Sequence, residues 1–292
     1  MPTAAEHGDR SAALLVNALR RQGYRPGHTL VVETRHADGR DERLPALARE
    51  LVRHRADVIV AVGSAASRAA RDATTTIPIV MVGDFDPVAA GLVASLEQPG
   101  GNLTGVLVDA GAQLTARRLE LLREALPDAT RIGLIVPADT SLRPEVTQLR
   151  EAAARQGLQL SVAEVEGRAD YESAFNTLDS EQVQAVLVGA SASLLHDRRR
   201  LAALAARHRL PTAWPWPEEA RDGGLMAYGA GLDEAWQQVA HLVDRLLHGA
   251  RAGRLPIERP ERWRLVVNLR TARSLGLTLP EALVSRADEV VE

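Results

Sequence analysis

Three stretches of the chain put hydroxyls, carboxylates and aromatic rings where an α/β protein handles small molecules. In the first, Gly63-Ser64-Ala65-Ala66-Ser67 follows the apolar run Asp57–Val62 and opens a helix. Backbone amides and hydroxyls at a helix start can hold a carboxylate by charge–dipole attraction and hydrogen bonds. Gly63, Ser64 and Ala65 are therefore candidates for ligand contact, although serine is also an ordinary helix cap. In the second, Asp84-Phe85-Asp86-Pro87 follows the apolar run Ile77–Val82. Asp84 can meet an ammonium group. Asp86 reads better as the cap of a helix over 88–96, with Pro87 in its first turn. Phe85 either stacks on a ligand or packs in a core. The third stretch is spread over the second half. Asp139 and Ser191 each follow an apolar strand, and Tyr228 ends one. Trp214 and Trp216 flank Pro215; such a pair can sandwich a flat ligand or pack beneath a rigid proline turn.

Composition removes several chemistries. The 292 residues contain no cysteine, and all 35 basic side chains other than histidine are arginine. That excludes a thiolate nucleophile, a Cys-bound zinc, a Schiff-base lysine and a P-loop lysine. Cysteine-free chains suit an oxidising compartment. The net charge of −3 gives no reason to expect nucleic acid. The eight histidines do not cluster, so His196-Asp197 reads as helix surface and Arg198-Arg199-Arg200 as a solvated face. Ser64 is not in a G-x-S-x-G frame, and Gly100-Gly101 is not a dinucleotide fingerprint. No nucleophile–base pair, metal or cofactor is called for, and the chain reads as a non-enzyme. The first ten residues carry no apolar core of a secretory signal, and no run is long enough to cross a bilayer.

The elements that position these residues follow from periodicity. Helical spacing is clear over 11–22, 44–55, 113–126, 143–156 and 233–248. Short apolar runs at 30–32, 57–62, 77–82, 104–108, 131–136, 158–165, 185–189, 210–214, 225–229 and 265–268 read as strands. Alternating strands and helices imply doubly wound parallel sheets. The halves also resemble each other. Gln22-Gly23 returns as Gln156-Gly157, Gly63-Ser64-Ala65-Ala66-Ser67 as Gly189-Ala190-Ser191-Ala192-Ser193, and Ile77-Pro78 as Leu210-Pro211. The expectation is two related lobes, one of residues 1–105 with about 230–255, the other of 106–229 with about 256–292. The helix 143–156 follows a strand, whereas its counterpart 11–22 has none before it. The first lobe is thus expected to lack its first, central strand, as a chain shortened at its N-terminus would.

Several runs carry a family resemblance. They are Glu42-Arg43-Leu44-Pro45-Ala46-Leu47-Ala48, Ala73-Thr74-Thr75-Thr76-Ile77-Pro78-Ile79-Val80, Asp86-Pro87-Val88-Ala89-Ala90-Gly91-Leu92-Val93 and Pro99-Gly100-Gly101-Asn102-Leu103-Thr104-Gly105-Val106. Arg118-Leu119-Glu120-Leu121-Leu122, Gly223-Gly224-Leu225-Met226 with Tyr228-Gly229, and Leu265-Val266-Val267-Asn268-Leu269 with Leu275-Gly276-Leu277 complete the set. From about Ser11 to the C-terminus the chain resembles ABC-transporter substrate-binding proteins of the tryptophan-binding-like group. The resemblance implies a type I periplasmic-binding-protein fold and a monomeric extracytoplasmic receptor. It further implies a small solute, first of all an aromatic or other apolar amino acid, held between the lobes and passed to an ABC permease and its ATPase. Members normally begin with a signal peptide and an apolar strand, and this chain departs from that pattern. The alternatives are a cytoplasmic ligand-sensing module of the same fold and a shortened product with impaired binding.

Overall fold

The computed structural model describes residues 4–37, 40–83, 85–108, 112–138, 143–260 and 262–292. It divides into two units, Met1–Val108 with Leu232–Pro260, and Asp109–Gly231 with Glu261–Glu292. In chain order the first unit holds α1 (Ala4–Arg21), α2 (Leu44–Arg53), β1 (Ile59–Val62), α3 (Ser64–Ala73), β2 (Ile79–Gly83) and β3 (Leu103–Leu107). The second unit follows with α4 (Ala112–Ala125), β4 (Arg131–Pro137), α5 (Arg143–Arg155), β5 (Gln159–Val165), α6 (Tyr171–Ser180) and β6 (Ala185–Val188). It continues through α7 (Ala192–Arg207), β7 (Thr212–Trp214), α8 (Pro217–Arg221) and β8 (Met226–Gly229). The chain returns to the first unit for α9 (Leu232–Leu247). It ends in the second with β9 (Arg264–Asn268), α10 (Leu269–Ser274), α11 (Glu281–Val284) and β10 (Glu289–Val291).

The first unit's sheet runs β1-β2-β3, all parallel. β2 and β3 are buried at every residue, which is why they read as continuous apolar runs rather than as alternating ones. Leu15, Leu19, Val239, Leu242 and Val243 cover one face of this sheet, and Ile59, Ala70, Ile79, Met81 and Leu103 form the core on the other. β2 and β3 lie close because Gly105 has no side chain; a Cβ there would meet the Met81 carbonyl oxygen. The second sheet runs β10-β9-β8-β7-β6-β4-β5. Only the β8–β9 pair in it is antiparallel, a departure from the all-parallel expectation. α10 and β10 were not foreseen; their runs are too short to carry a period.

Internal duplication is visible bond by bond. α1 and α5 both stop in a glycine of positive φ, Gly23 and Gly157. The closing bonds match: Tyr24 N donates to Leu19 O at 3.2 Å, and Leu158 N to Ala153 O at 2.9 Å. β1 and β6 enter their sheets alike, Ile59 N donating to Pro78 O at 3.0 Å and Val186 N to Pro211 O at 2.9 Å. These are the prolines of the two repeated Ile-Pro and Leu-Pro pairs.

Two elements differ from expectation in the first unit. Residues 88–96 form turns rather than a helix. Asp86 still acts as a cap there, its Oδ1 accepting from Val88 N at 2.9 Å and Ala89 N at 3.0 Å. Gly91, at φ 66, and Ser95 then break any helical run. Residues 31–37 form no regular element and, among the described residues, pair with no strand; Leu30 only bridges Pro26. Valine-rich sequence makes a strand only where a partner edge is at hand.

Candidate functional site

Gly63, Ser64 and Phe85 of the first unit and Ser191, Trp214, Trp216 and Tyr228 of the second fall at or just past strand ends, where open α/β sheets bind small ligands. β1 ends at Val62, and Gly63 caps α3 with φ 91 and ψ 162, a backbone shape reserved for glycine. Gly63 N donates to Val82 O at 2.8 Å, tying the turn to β2. Its carbonyl accepts from Ser67 N at 3.1 Å and from Ser67 Oγ at 2.8 Å. Ser67 is fully buried and so structural. Glycine offers no capping side chain, so among the described residues no N-cap side chain covers the first-turn amides of α3, which begins with half-buried Ser64 and exposed Ala65. The repeated position in the second unit differs. There Ser191 caps α7, its Oγ accepting from Leu194 N at 3.1 Å, so that helix start is already satisfied. Sequence alone could not separate these two serine-rich turns, because the helix begins one residue past Gly63 but three past Gly189.

Gly83 ends β2, and its bareness makes room for Phe85, whose ring carbon would lie 2.5 Å from a Cβ on Gly83. Phe85 is half-buried and packs on the Ile59–Met81 core, which favours packing over stacking on a ligand. Asp84 and Asp139 lie outside the described residues.

The tryptophan sandwich is not formed. Trp214 is fully buried in the second unit's core, and its indole N–H donates to Thr212 Oγ1 at 2.6 Å. Gly224 lies against the indole, where any side chain would collide. Trp216 is 3% exposed and likewise has no free face. β7 is an interior strand of its sheet, so a tryptophan at its end packs under α8 rather than outward. Tyr228 is half-buried on the core and its carbonyl accepts from Arg118 Nε at 2.8 Å.

Arg118 and Glu219 are the polar groups that sequence reading missed. Arg118 is 2% exposed and Glu219 has no exposure at all. Glu219 Oε2 accepts from Trp216 N at 2.9 Å, closing the first turn of α8, while Oε1 is buried without a hydrogen-bond partner. Burial pushes the carboxyl up to about 8, against the opposing pulls of the Trp216 amide and the Arg118 charge. Glu219 stands two residues past Pro217 in a run read only as a short helix, and neither its cap nor its complete burial was foreseen. His196-Asp197 and Arg198 are corrected too. Asp197 is buried, accepting from Arg168 Nε at 2.6 Å and Tyr171 OH at 3.0 Å. Arg198 is 6% exposed and donates from Nε to Asp222 Oδ2 at 2.6 Å, so only Arg199 and Arg200 form a solvated face.

Comparison with known proteins agrees with this geometry. The family model described as ABC transporter substrate binding protein matches residues 7–291. A curated tyrosine-binding protein of Clostridioides difficile is 23% identical over 270 residues, 92% of this chain and 77% of the relative. A conserved domain protein from Vibrio cholerae superposes with a TM-score of 0.87 at 27% identity, covering 98% of this chain and 95% of that one. A Streptococcus pneumonia ABC domain in complex with L-Trp superposes with a TM-score of 0.86 at 21% identity, with the same coverage. Among the described residues no helix is long and apolar enough to cross a membrane. The fold is that of the type I periplasmic binding proteins, and the chain belongs to the ABC transporter substrate-binding protein family, whose members bind solutes rather than transform them.

Proposed function

We propose that this protein is the extracytoplasmic receptor of an ABC importer and binds an amino acid with an aromatic or other apolar side chain. The observation that carries the reading is the uncapped start of α3 at the end of β1. First-turn amides that no N-cap side chain covers, and the Ser64 hydroxyl, suit a carboxylate, which the helix dipole also attracts. Asp84, next in the chain after β2, is the proposed partner of the ammonium group. On this reading Asp139 and Tyr228 of the second unit face the ligand when the two units close on it, Ser191 keeps its hydroxyl in the cap of α7, and the closed form is what the permease and ATPase recognise. The relatives that bear the names of tyrosine and L-Trp support the choice of ligand class. The test is a thermal-shift panel of the common L-amino acids and simple sugars on the purified chain. A cognate ligand at 100 times its dissociation constant stabilises by about 2.7 kcal/mol. The expected pattern is a shift with tryptophan, tyrosine, phenylalanine or leucine and none with sugars. A shift with sugars alone contradicts it.

A further inference from the structure

Two buried charged groups of the second unit, Arg118 and Glu219, stand beside Tyr228 at the end of β8. The Tyr228 carbonyl accepts from Arg118 Nε at 2.8 Å, and Arg118 Nη1 donates to Thr115 Oγ1 on its own helix at 3.3 Å. The next residue, Gly229, lies so close to the Pro215 carbonyl that a Cβ would collide with it. The turn at Pro215–Trp216 is in turn held by Glu219, whose Oε2 accepts from Trp216 N at 2.9 Å. A shift of that turn therefore passes to Gly229 from backbone to backbone. The far end of α8 is pinned separately, Asn268 Nδ2 donating to Ala220 O at 2.8 Å. Glu219 thus acts on the end of α8 that lies next to the ends of β7 and β8.

The other oxygen of that carboxyl, Oε1, is buried and has no hydrogen-bond partner among the described residues. An ionised oxygen left so is far costlier than a neutral one, so the geometry asks for a proton on Glu219. Burial, which pushes the carboxyl up to about 8, agrees. Three charged side chains act on it: Arg118 from α4, Glu218 from its own helix and Arg198 from α7. Arg118 pulls hardest of the three. Glu218 pairs with Arg221 at 3.7 Å, and Arg198 with Asp222 at 2.6 Å. β7, β8 and β9 also pack on α8, with Thr212, Tyr228 and Asn268 as their polar groups. Arg264 of β9 acts instead on Glu289. Removal of the proton therefore leaves a carboxylate drawn first to Arg118, in competition with the Tyr228 carbonyl.

We propose that Glu219 is a positioning residue for the ligand. With its proton on, it holds the Pro215–Trp216 turn and leaves Arg118 to fix the backbone of Tyr228; with its proton off, it draws Arg118 away and ligand binding weakens. The inference rests on the reading above that Tyr228 faces the ligand. Glu219 itself touches no ligand; it acts through the Trp216 amide and through Arg118. Affinity is then greatest below the titration of Glu219 and falls as pH rises through it, because only the protonated fraction is competent.

The test is calorimetric titration of L-tryptophan, L-tyrosine, L-phenylalanine and L-leucine into the full chain and into Glu219→Gln, from about pH 6 to about pH 9. For the parent, affinity is expected to be about ten-fold weaker at pH 9 than at pH 7. Glu219→Gln is neutral at every pH and still offers Trp216 N an acceptor. Its affinity is expected to lose that dependence, keeping only the titration of the ligand's own ammonium group, which both chains share. A purely structural role would leave the two profiles parallel. Parallel profiles overturn the inference, as does a parent whose affinity is flat or rises toward pH 9. A second readout needs the parent alone: proton uptake on binding, from buffers of different ionisation heat. More than about half a proton taken up near pH 8.5 supports the inference, and less refutes it. That readout decides if Glu219→Gln does not fold. Absence of binding by all four amino acids at every pH overturns the receptor reading together with this inference, whereas binding with parallel profiles overturns this inference alone.

Discussion

At the scale of single residues, glycine and one buried acid carry more of this structure than the tryptophans do. Gly63 is the pivot between β1 and α3. Nothing lies within 4 Å of where its Cβ would be, so space is no obstacle, but φ 91 with ψ 162 is one that L side chains avoid. Gly63→Ala is expected to cost about 1–3 kcal/mol through backbone strain alone, read as a lower urea midpoint with an unchanged slope. Glu219 makes a pH prediction. Its carboxyl titrates near 8 in the folded chain because it is buried, against 4.5 in the unfolded one. Between those values the folded chain keeps a proton that the unfolded chain has released, so unfolding is favoured as pH rises. Stability from this group is therefore greatest below 4.5 and declines until about pH 8, by at most about 1.4 kcal/mol per pH unit. Glu219→Gln is expected to flatten that decline and to melt higher than the parent at pH 8. An unaltered pH profile would contradict it. The positions of both residues were visible in sequence as a glycine after an apolar run and a glutamate two past a proline. Their roles were not, because conformation and burial are set by neighbours far along the chain, such as Val82 for Gly63.

At the scale of elements, strands read well where both faces are buried and poorly where a partner is wanting. β2 and β3 are apolar runs buried throughout, and their limits were legible to within two residues. The run at 30–32 is as apolar, but Val31 and Val32 are exposed and, among the described residues, pair with no strand. Helix 88–96 failed for a local reason: Asp86 caps the turn as expected, but Gly91 at φ 66 and the Ser95 turn end it. Asp86→Ala is expected to lower stability by about 0.5–2 kcal/mol by freeing the Val88 and Ala89 amides, with thermal melting as the check. Close approach of strands gives a sharper test. At Gly105 a Cβ would meet the Met81 carbonyl, and at Gly229 the Pro215 carbonyl; both neighbours are backbone and cannot swing away. Gly105→Ala is expected to separate β2 from β3 and cost about 1–3 kcal/mol, with faster amide exchange in β3 than in β8. The tryptophan pair was misjudged for the opposite reason. An aromatic at the end of an edge strand can face a ligand, but β7 has a strand on either side and α8 over its end.

At the scale of the whole molecule, duplication is the organising fact. Matching helix ends at Gly23 and Gly157, and matching strand entries at Pro78 and Pro211, make each unit a guide to the other. That guide was partly readable in the repeated dipeptides. It could not reveal that the two serine-rich turns begin their helices at different points, leaving α3 uncapped and α7 capped by Ser191. On the proposed reading, the ligand's carboxylate docks at the α3 start of the first unit. The most direct measurement is isothermal titration of L-tryptophan and L-tyrosine into the chain and into variants carrying Ser64→Ala or Ser191→Ala. The account predicts saturable binding of at least one of the two, weakened about five- to ten-fold by loss of a Ser64 hydrogen bond and little altered at Ser191, whose hydroxyl is engaged within its own helix. Binding that is indifferent to Ser64 and lost with Ser191, or none with any amino acid, would contradict it.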